Sequence, residues 1–360
     1  MAVRVRGISW NRPLLIAATA LSLISLIALR SAAATLNPSL AWKQAIWVVV
    51  GLAAGIGVAS GSYRRWLDGT VFLYVGSLIL LVLVEVAGTE KLGAVRWLTI
   101  LGFSMQPSEI AKLATACGLA RYLGGQPAPL STRSLVVSGL LMGVPAVLIL
   151  LQPDLGSASI LVAIWLGAIC TVGMSKRQVG GLLLGSLLVL PVVWHGLKEY
   201  QRARLLVFLN PQTDPLGAGY TIIQSQIAIG SGQLFGRGWM AGTQNQLNFL
   251  PERHADFLYS VIGEEWGLVG SLLVIGLFAV IVSQGITIAQ RNSEPQGRLL
   301  AVALVSWLAY QAVINMGMVM GLVPVVGVPL PLVSYGGSAM LITWIAVGLL
   351  CSVQRFGTRF

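Results

Sequence analysis

Apolar residues come in long runs, broken by short clusters of charged, glycine and proline residues, and the alternation repeats from Pro13 to Val353. A helix needs roughly 17–25 largely apolar residues to cross about 30 Å of hydrocarbon. Runs of about that length fall at 13–29, 44–60, 69–88, 108–122, 134–151, 157–174, 178–196, 266–287, 297–322 and 337–353. They predict an all-α fold: a polytopic membrane protein of about ten transmembrane helices, forming a single integral membrane domain over 1–360. The first run, followed by Ser31-Ala32-Ala33-Ala34, has features of a signal peptide. Its length and the many later spans favour a retained first helix.

Between the seventh and eighth spans lies a segment, 198–265, far longer than the other connections and rich in Gly, Asn and Gln. Loops of such length in compact proteins are functional or disordered. This one carries Ile222, Ile223, Ile227, Ile229, Leu234 and Phe235, so it is expected to fold back against the membrane. Its Lys198, Arg202, Arg204, Arg237 and Arg253 are nearly balanced by Glu199, Asp214, Glu252, Asp256, Glu264 and Glu265. It is not a polybasic tail.

Composition agrees with the pattern: 56% of the 360 residues are hydrophobic and 10% charged, with mean hydropathy +0.82. A soluble domain of this size is excluded. The net charge of +11 would suit nucleic acid, but the basic residues sit singly or in pairs between apolar runs. Membrane topology accounts for them instead. With the N-terminus inside, the cytoplasmic segments hold Arg4, Arg6, Arg12, Arg64, Arg65, Arg121, Arg133, Lys176, Arg177, Arg291, Arg298, Arg355 and Arg359, and the opposite short loops hold only Arg30, Lys43, Lys91 and Arg96. Of the acidic residues, only Asp68 and Glu294 fall inside. Both termini are thus expected in the cytoplasm and the polar chemistry on the outward side of the membrane. Cys117, Cys170 and Cys351 lie in predicted spans without metal-ligand spacing and read as packing residues.

Four segments carry candidate chemistry. Glu109 and Lys112, three apart after Gln106-Pro107-Ser108, share a helix face. Ionisable groups at membrane depth face a cavity or one another, so the pair is either a structural bridge or part of an outward polar cavity. Just upstream, Arg96 suits an anionic head group, while Trp97 suits either a sugar face or an interfacial anchor. In Gln152-Pro153-Asp154-Leu155-Gly156-Ser157, Asp154 is placed to cap the next helix, a role compatible with lining a cavity. In Leu250-Pro251-Glu252-Arg253-His254-Ala255-Asp256-Phe257, a helix opened by Pro251 would put Glu252 and Asp256 on one face. One carboxylate could then accept a hydroxyl proton while Arg or His holds a phosphate oxygen; a solvated surface helix is the alternative. Finally, Asn315 to Ser338, with Pro324, Pro329 and Pro331 among several glycines, predicts an irregular re-entrant segment. It is either a substrate wall or a structural connection. No His-Glu-x-x-His, Gly-x-Ser-x-Gly or phosphate-loop motif occurs.

Together these segments resemble the SEDS family (shape, elongation, division and sporulation). The similarity rests on Arg96-Trp97 with Phe103 to Lys112, Gln152 to Gly156, Phe208 to Pro211 with Asp214-Pro215, Gln224 to Gly232, Phe249 to Phe257, and Pro329 to Ser338. Arg253 between Glu252 and His254 is similar to the elongation branch, RodA, rather than the division branch, FtsW. Ala255 stands where the family usually has Thr.

The resemblance implies a peptidoglycan glycosyltransferase that joins lipid II into glycan strands with inversion and release of undecaprenyl diphosphate, during cell elongation and shape maintenance. Asp256 matches the family's essential aspartate, and its implied role is general base. Arg96, Lys112, Arg202, Arg204 and Arg253 are candidates for charge stabilisation. Trp97, Glu109, Asp154, Glu252, His254 and Ser334 complete the expected substrate-binding set. No closed metal site is visible, although Asp256 and Glu252 are hard donors of the kind that hold Mg2+ or Mn2+ against phosphate. The family's partner is a class B penicillin-binding protein, a transpeptidase. Two rivals share the helices: a lipid II flippase or transporter, and a non-catalytic scaffold for that transpeptidase. The absence of an evident internal repeat and the short, basic cytoplasmic loops argue against the transporter.

Overall fold

The computed structural model describes residues 10–357 other than 36, 92–93, 101–102, 198, 211–213, 216 and 218. Lys198, Gly93 and Pro211, and the basic residues Arg4, Arg6 and Arg359, lie outside the described residues. In chain order the helices are α1 (Arg12–Ala32), α2 (Ser39–Ser60), α3 (Tyr63–Asp68), α4 (Thr70–Ala87), α5 (Pro107–Leu123), α6 (Thr132–Leu151), α7 (Leu155–Val172), α8 (Lys176–Gly196), α9 (Glu199–Leu209), α10 (Tyr220–Ser231), α11 (Thr243–Gln246), α12 (Leu258–Arg291), α13 (Pro295–Val319) and α14 (Gly337–Gly357). Eight of them, α1, α2, α4, α6, α7, α12, α13 and α14, are long and apolar enough to cross a membrane. The other two expected spans are also helical, as α5 and α8.

Helix α5 sits at the centre, packed by α4, α6, α7 and α13. Its Ala111, Ala114, Ala116, Gly118 and Ala120 keep it thin enough to be surrounded on all sides. A second close approach joins α2 to α14: a Cβ on Gly348 would stand 2.3 Å from the Gly55 carbonyl oxygen, and one on Gly51 2.8 Å from the Trp344 ring. Small residues replace side-chain interdigitation there with backbone contact.

The hydropathy pattern missed three features. Between α4 and α5 the chain forms a small antiparallel sheet of β1 (Thr89–Lys91), β2 (Ala94–Ile100) and β3 (Phe103–Met105), in that order, with Thr89 opposite Trp97 and Leu98 opposite Met105. Residues 251–257 form turns, not the helix that Pro251 was expected to open, because Glu252 adopts a left-handed φ of 47°. Helix α12 then starts at Leu258, well before the predicted span, and breaks at Gly267 (φ 68°, ψ −157°).

Part of the long segment packs on the helical bundle: α10 lies on α12 and α13 and buries Ile222, Ser225 and Ala228, whereas Leu234 and Phe235 are exposed. Glu264, on α12, accepts from the Gln244 and Asn245 amides at 2.8 and 3.2 Å, so a carboxylate holds the N-terminus of α11. Glu265 accepts from Asn245 Nδ2 at 3.1 Å and from Ser31 Oγ, which ties the same loop to the end of α1.

Segment 320–336 is irregular, as expected, and side chains from several helices satisfy its backbone. Ser25 Oγ donates to the Val333 carbonyl at 2.5 Å and Gln44 Nε2 to the Ser334 carbonyl at 3.1 Å. Gln311 Nε2 donates to the Pro329 carbonyl at 2.8 Å. At the opposite end of the bundle, Arg64 pairs with Glu294 at 2.9 Å and the hydroxyl of Tyr63 donates to the same carboxylate.

Candidate active site

A cavity of about 290 Å3 opens at the end of the bundle where the small sheet, α9, the 251–257 turns and the 320–336 segment converge. Each wall comes from a different stretch of sequence. Strand β2 supplies Arg96 and Trp97, α9 supplies Arg204, the turns supply Glu252 and Asp256, and the irregular segment supplies Gly327, Pro329 and Tyr335. A narrower crevice beside it, lined by Leu155, Leu205, Val325 and Val326, also reaches Arg96 and Arg204. Two guanidinium groups therefore stand where a polar cavity meets an apolar crevice.

The Asp256 carboxylate lines the cavity and is only partly exposed. Burial raises its pKa to about 7, with the negative charge of Glu252 acting in the same direction and Arg204 opposing it. Asp154 adds to the rise and Arg96 to the opposition. Gly327 (φ 70°) lies on the side of the cavity that faces this carboxylate: a Cβ added there would reach van der Waals distance, 3.5 Å, of Asp256 Oδ2. Arg96 is held in place by its bonds to the carbonyls of Gln152, at 3.0 Å, and Pro153. Asp154 caps α7 through the Ser157 amide at 3.0 Å and accepts from Gln106 Nε2 at 3.3 Å, and Gln106 lines the cavity.

Of the residues expected at the substrate, Arg96, Trp97, Arg204, Glu252 and Asp256 share this cavity, with Asp154 behind it. The rest lie elsewhere. Glu109 and Lys112 are about 99% buried beneath the site on α5; Lys112 Nζ binds Glu109 at 2.8 Å and Gln311 Oε1 at 3.1 Å, and stands 5.0 Å from the Trp307 ring. Arg202 closes the end of α8 through the carbonyls of Trp194 and His195 at 3.0 and 2.7 Å. Arg253 points away from the cavity, to the Ala32 carbonyl at 2.8 Å, the Asn245 carbonyl and Thr35 Oγ1. His254 stands behind Glu252, 3.8 Å from it, with its ring 6.0 Å from that of Tyr335, and burial lowers its pKa. Ser334 Oγ donates to the Ala255 carbonyl at 2.5 Å and accepts from the Leu330 amide at 2.8 Å, so it fastens two walls together.

Sequence reasoning did not single out Gln106, Thr221, Tyr335 and Gly327, all in the cavity wall. Gln106, Tyr335 and Gly327 lie inside polar or Gly/Pro-rich interruptions that had been noted, and those interruptions were the available signal. Thr221 opens α10 without any distinguishing pattern. Among the described residues, no group of three or more His, Cys, Asp and Glu side chains is arranged to hold a metal. Asp256 and Glu252 place two oxygen donors on one wall, enough to help bridge a hard cation to a phosphate but not to enclose it.

Comparison with known proteins gives a consistent set. The family model for FtsW, RodA and SpoVE, described as cell cycle protein, matches residues 11–359. The peptidoglycan glycosyltransferase MrdB of Escherichia coli K12 is 41% identical over 308 residues, covering 85% of this chain and 83% of that protein. A solved peptidoglycan synthase complex, described as coordinating polymerization and crosslinking, contains a chain that superposes with TM-score 0.84 at 32% identity, covering 98% of this chain and 99% of the other. The crystal structure of the rod shape determining protein RodA of Thermus thermophilus superposes with TM-score 0.74 at 28% identity and the same coverage.

Proposed function

The chain belongs to the FtsW/RodA/SpoVE family, and from that premise we propose that it is a peptidoglycan glycosyltransferase of cell elongation that polymerises lipid II. The observation carrying this reading is a carboxylate with a pKa near neutrality in the same cavity as two guanidinium groups. The 4-hydroxyl of an acceptor GlcNAc attacks the anomeric carbon of the donor MurNAc. Asp256 takes the hydroxyl proton as the new glycosidic bond forms, and undecaprenyl diphosphate leaves from the opposite face with inversion. A base with a pKa near the working pH is ionised in a large share of molecules and still basic enough to remove a proton. Arg96 and Arg204 stabilise the negative charge that develops on the diphosphate.

Charge distribution supports an orientation with both termini in the cytoplasm and the cavity on the outer face. The partner in this reading is a class B penicillin-binding protein that cross-links the strands. A transport or scaffold role would leave the ionisation of Asp256 without a task.

The test is polymerisation of labelled lipid II by the purified protein with its transpeptidase partner, across pH. Activity should fall as pH drops through about 7, because the base becomes protonated there. Asp256→Asn should reduce the rate by at least about a thousandfold. Equal chain formation by Asp256→Asn and the unaltered protein would remove Asp256 from the chemistry.

A further inference from the structure

Beneath the cavity, α13 presents two carboxamides one turn apart, Gln311 and Asn315, and neither belongs to the cavity lining. Asn315 is fully buried. Its Nδ2 donates to two carbonyls at once, that of Asp256 at 2.9 Å and that of Val328 at 2.7 Å. Reversing the amide would set oxygen against both carbonyls, so its orientation is fixed. Gln311 repeats the arrangement one turn below. Its Nε2 donates to the Pro329 carbonyl, while its Oε1 accepts from Lys112 Nζ at 3.1 Å and Trp307 Nε1 at 2.6 Å. Lys112 is in turn fixed by Glu109.

Gln311 thus connects a buried ion pair in the bundle centre to the irregular segment at Pro329, and Asn315, one turn along the same helix, ties the adjoining Val328 carbonyl to that of Asp256. That segment has no repeating backbone ladder to hold its shape, and its Gly327 lines the same cavity as Asp256. We propose that Asn315 and Gln311 are positioning residues for catalysis, forming a brace anchored on Lys112 that clamps the Gly327–Pro329 wall against Asp256. The inference rests on the reading of Asp256 as the base. It also gives Glu109 and Lys112 a role without substrate contact: they anchor the brace.

A loosened wall admits water to a carboxylate whose ionisation is set chiefly by burial. The charged and titratable groups that face or surround Asp256 are Glu252 in its own turn, Asp154 ahead of α7, Arg96 on β2, Arg204 on α9 and Tyr335 ahead of α14. Neither brace residue is titratable, so replacing one changes packing and hydration without changing any of these charges.

The experiment follows the carbonyl stretch of protonated Asp256 by infrared difference spectroscopy of the full-length protein, with the band identified by its loss in Asp256→Asn. Unaltered protein should titrate near about 7. In Asn315→Leu, which keeps the branched shape and removes both hydrogen bonds, the midpoint should fall by at least about one pH unit. The acid limb of lipid II polymerisation should move with it, and kcat should drop at least about tenfold with little change in KM. Gln311→Met should shift the midpoint in the same direction by less, which supplies a second variant should Asn315→Leu misfold. Unchanged midpoints in both variants would overturn the brace. Loss of folding in both would overturn it too, since a brace confined to one wall leaves the helical bundle standing. A shifted midpoint in a protein that never polymerises lipid II would sink the catalytic reading and leave the brace intact.

Discussion

The Asp256 side chain makes stability depend on pH. Its pKa in the folded protein lies above the ordinary carboxylate value because burial and Glu252 disfavour the anion. The sign follows from linkage: the neutral acid is tolerated below the unfolded pKa, and stability is lost as pH rises towards the folded value near about 7. Above that pH the ionised residue costs on the order of 4 kcal/mol. Asp256→Asn should therefore unfold at a higher temperature than the unaltered protein at pH 8, with the difference vanishing near pH 4. Thermal unfolding in detergent at the two pH values checks this, and a lower melting temperature for Asp256→Asn at pH 8 would contradict the burial account. Arg253 illustrates the opposite outcome at the same scale. It neighbours the key aspartate in sequence, yet the left-handed turn at Glu252 directs it to carbonyls at the end of α1 and the start of α11. Adjacency in sequence therefore gave no guide to where a long side chain would end.

At the scale of elements, the ten spans were legible because crossing a membrane imposes both a length and an apolar composition. The small sheet was not, since β2 is short and its alternation of Val95, Trp97 and Thr99 with Arg96 and Leu98 fits an amphipathic loop equally well. The irregular segment was legible in kind, from its prolines and glycines, but not in its contacts. Those depend on Ser25, Gln44, Gln311 and Asn315, polar residues scattered through largely apolar helices. Gly267 is a similar case: its break in α12 lets the 234–236 backbone pass within about 2.7 Å of where a Cβ would lie. Gly267→Ala should strain a positive φ and collide with that backbone, lowering stability by at least about 2 kcal/mol. A drop in melting temperature of several degrees checks it; an unchanged value would mean the two segments separate freely.

Across the whole molecule, the same charge asymmetry that appears in sequence reappears as two chemically distinct ends. One end holds Arg12, Arg64, Arg121, Arg291 and Arg355 around the Arg64–Glu294 bridge; the other holds the cavity and nearly all the carboxylates. In a cysteine-free background, Phe235→Cys should react with a membrane-impermeant maleimide added outside intact cells, and Arg65→Cys should react only after lysis. Both positions are exposed, so reaction of Arg65→Cys in intact cells would invert the assigned orientation.

The wall built from 327–336 carries a further consequence, for biosynthesis. Asp256 leaves the ribosome well before Gly327, Pro329 and Ser334, and α1, α2 and α13 must already be in place to receive them. A chain that ends between these two points lacks the wall facing its aspartate. The cavity is therefore completed only by the part of the protein made last.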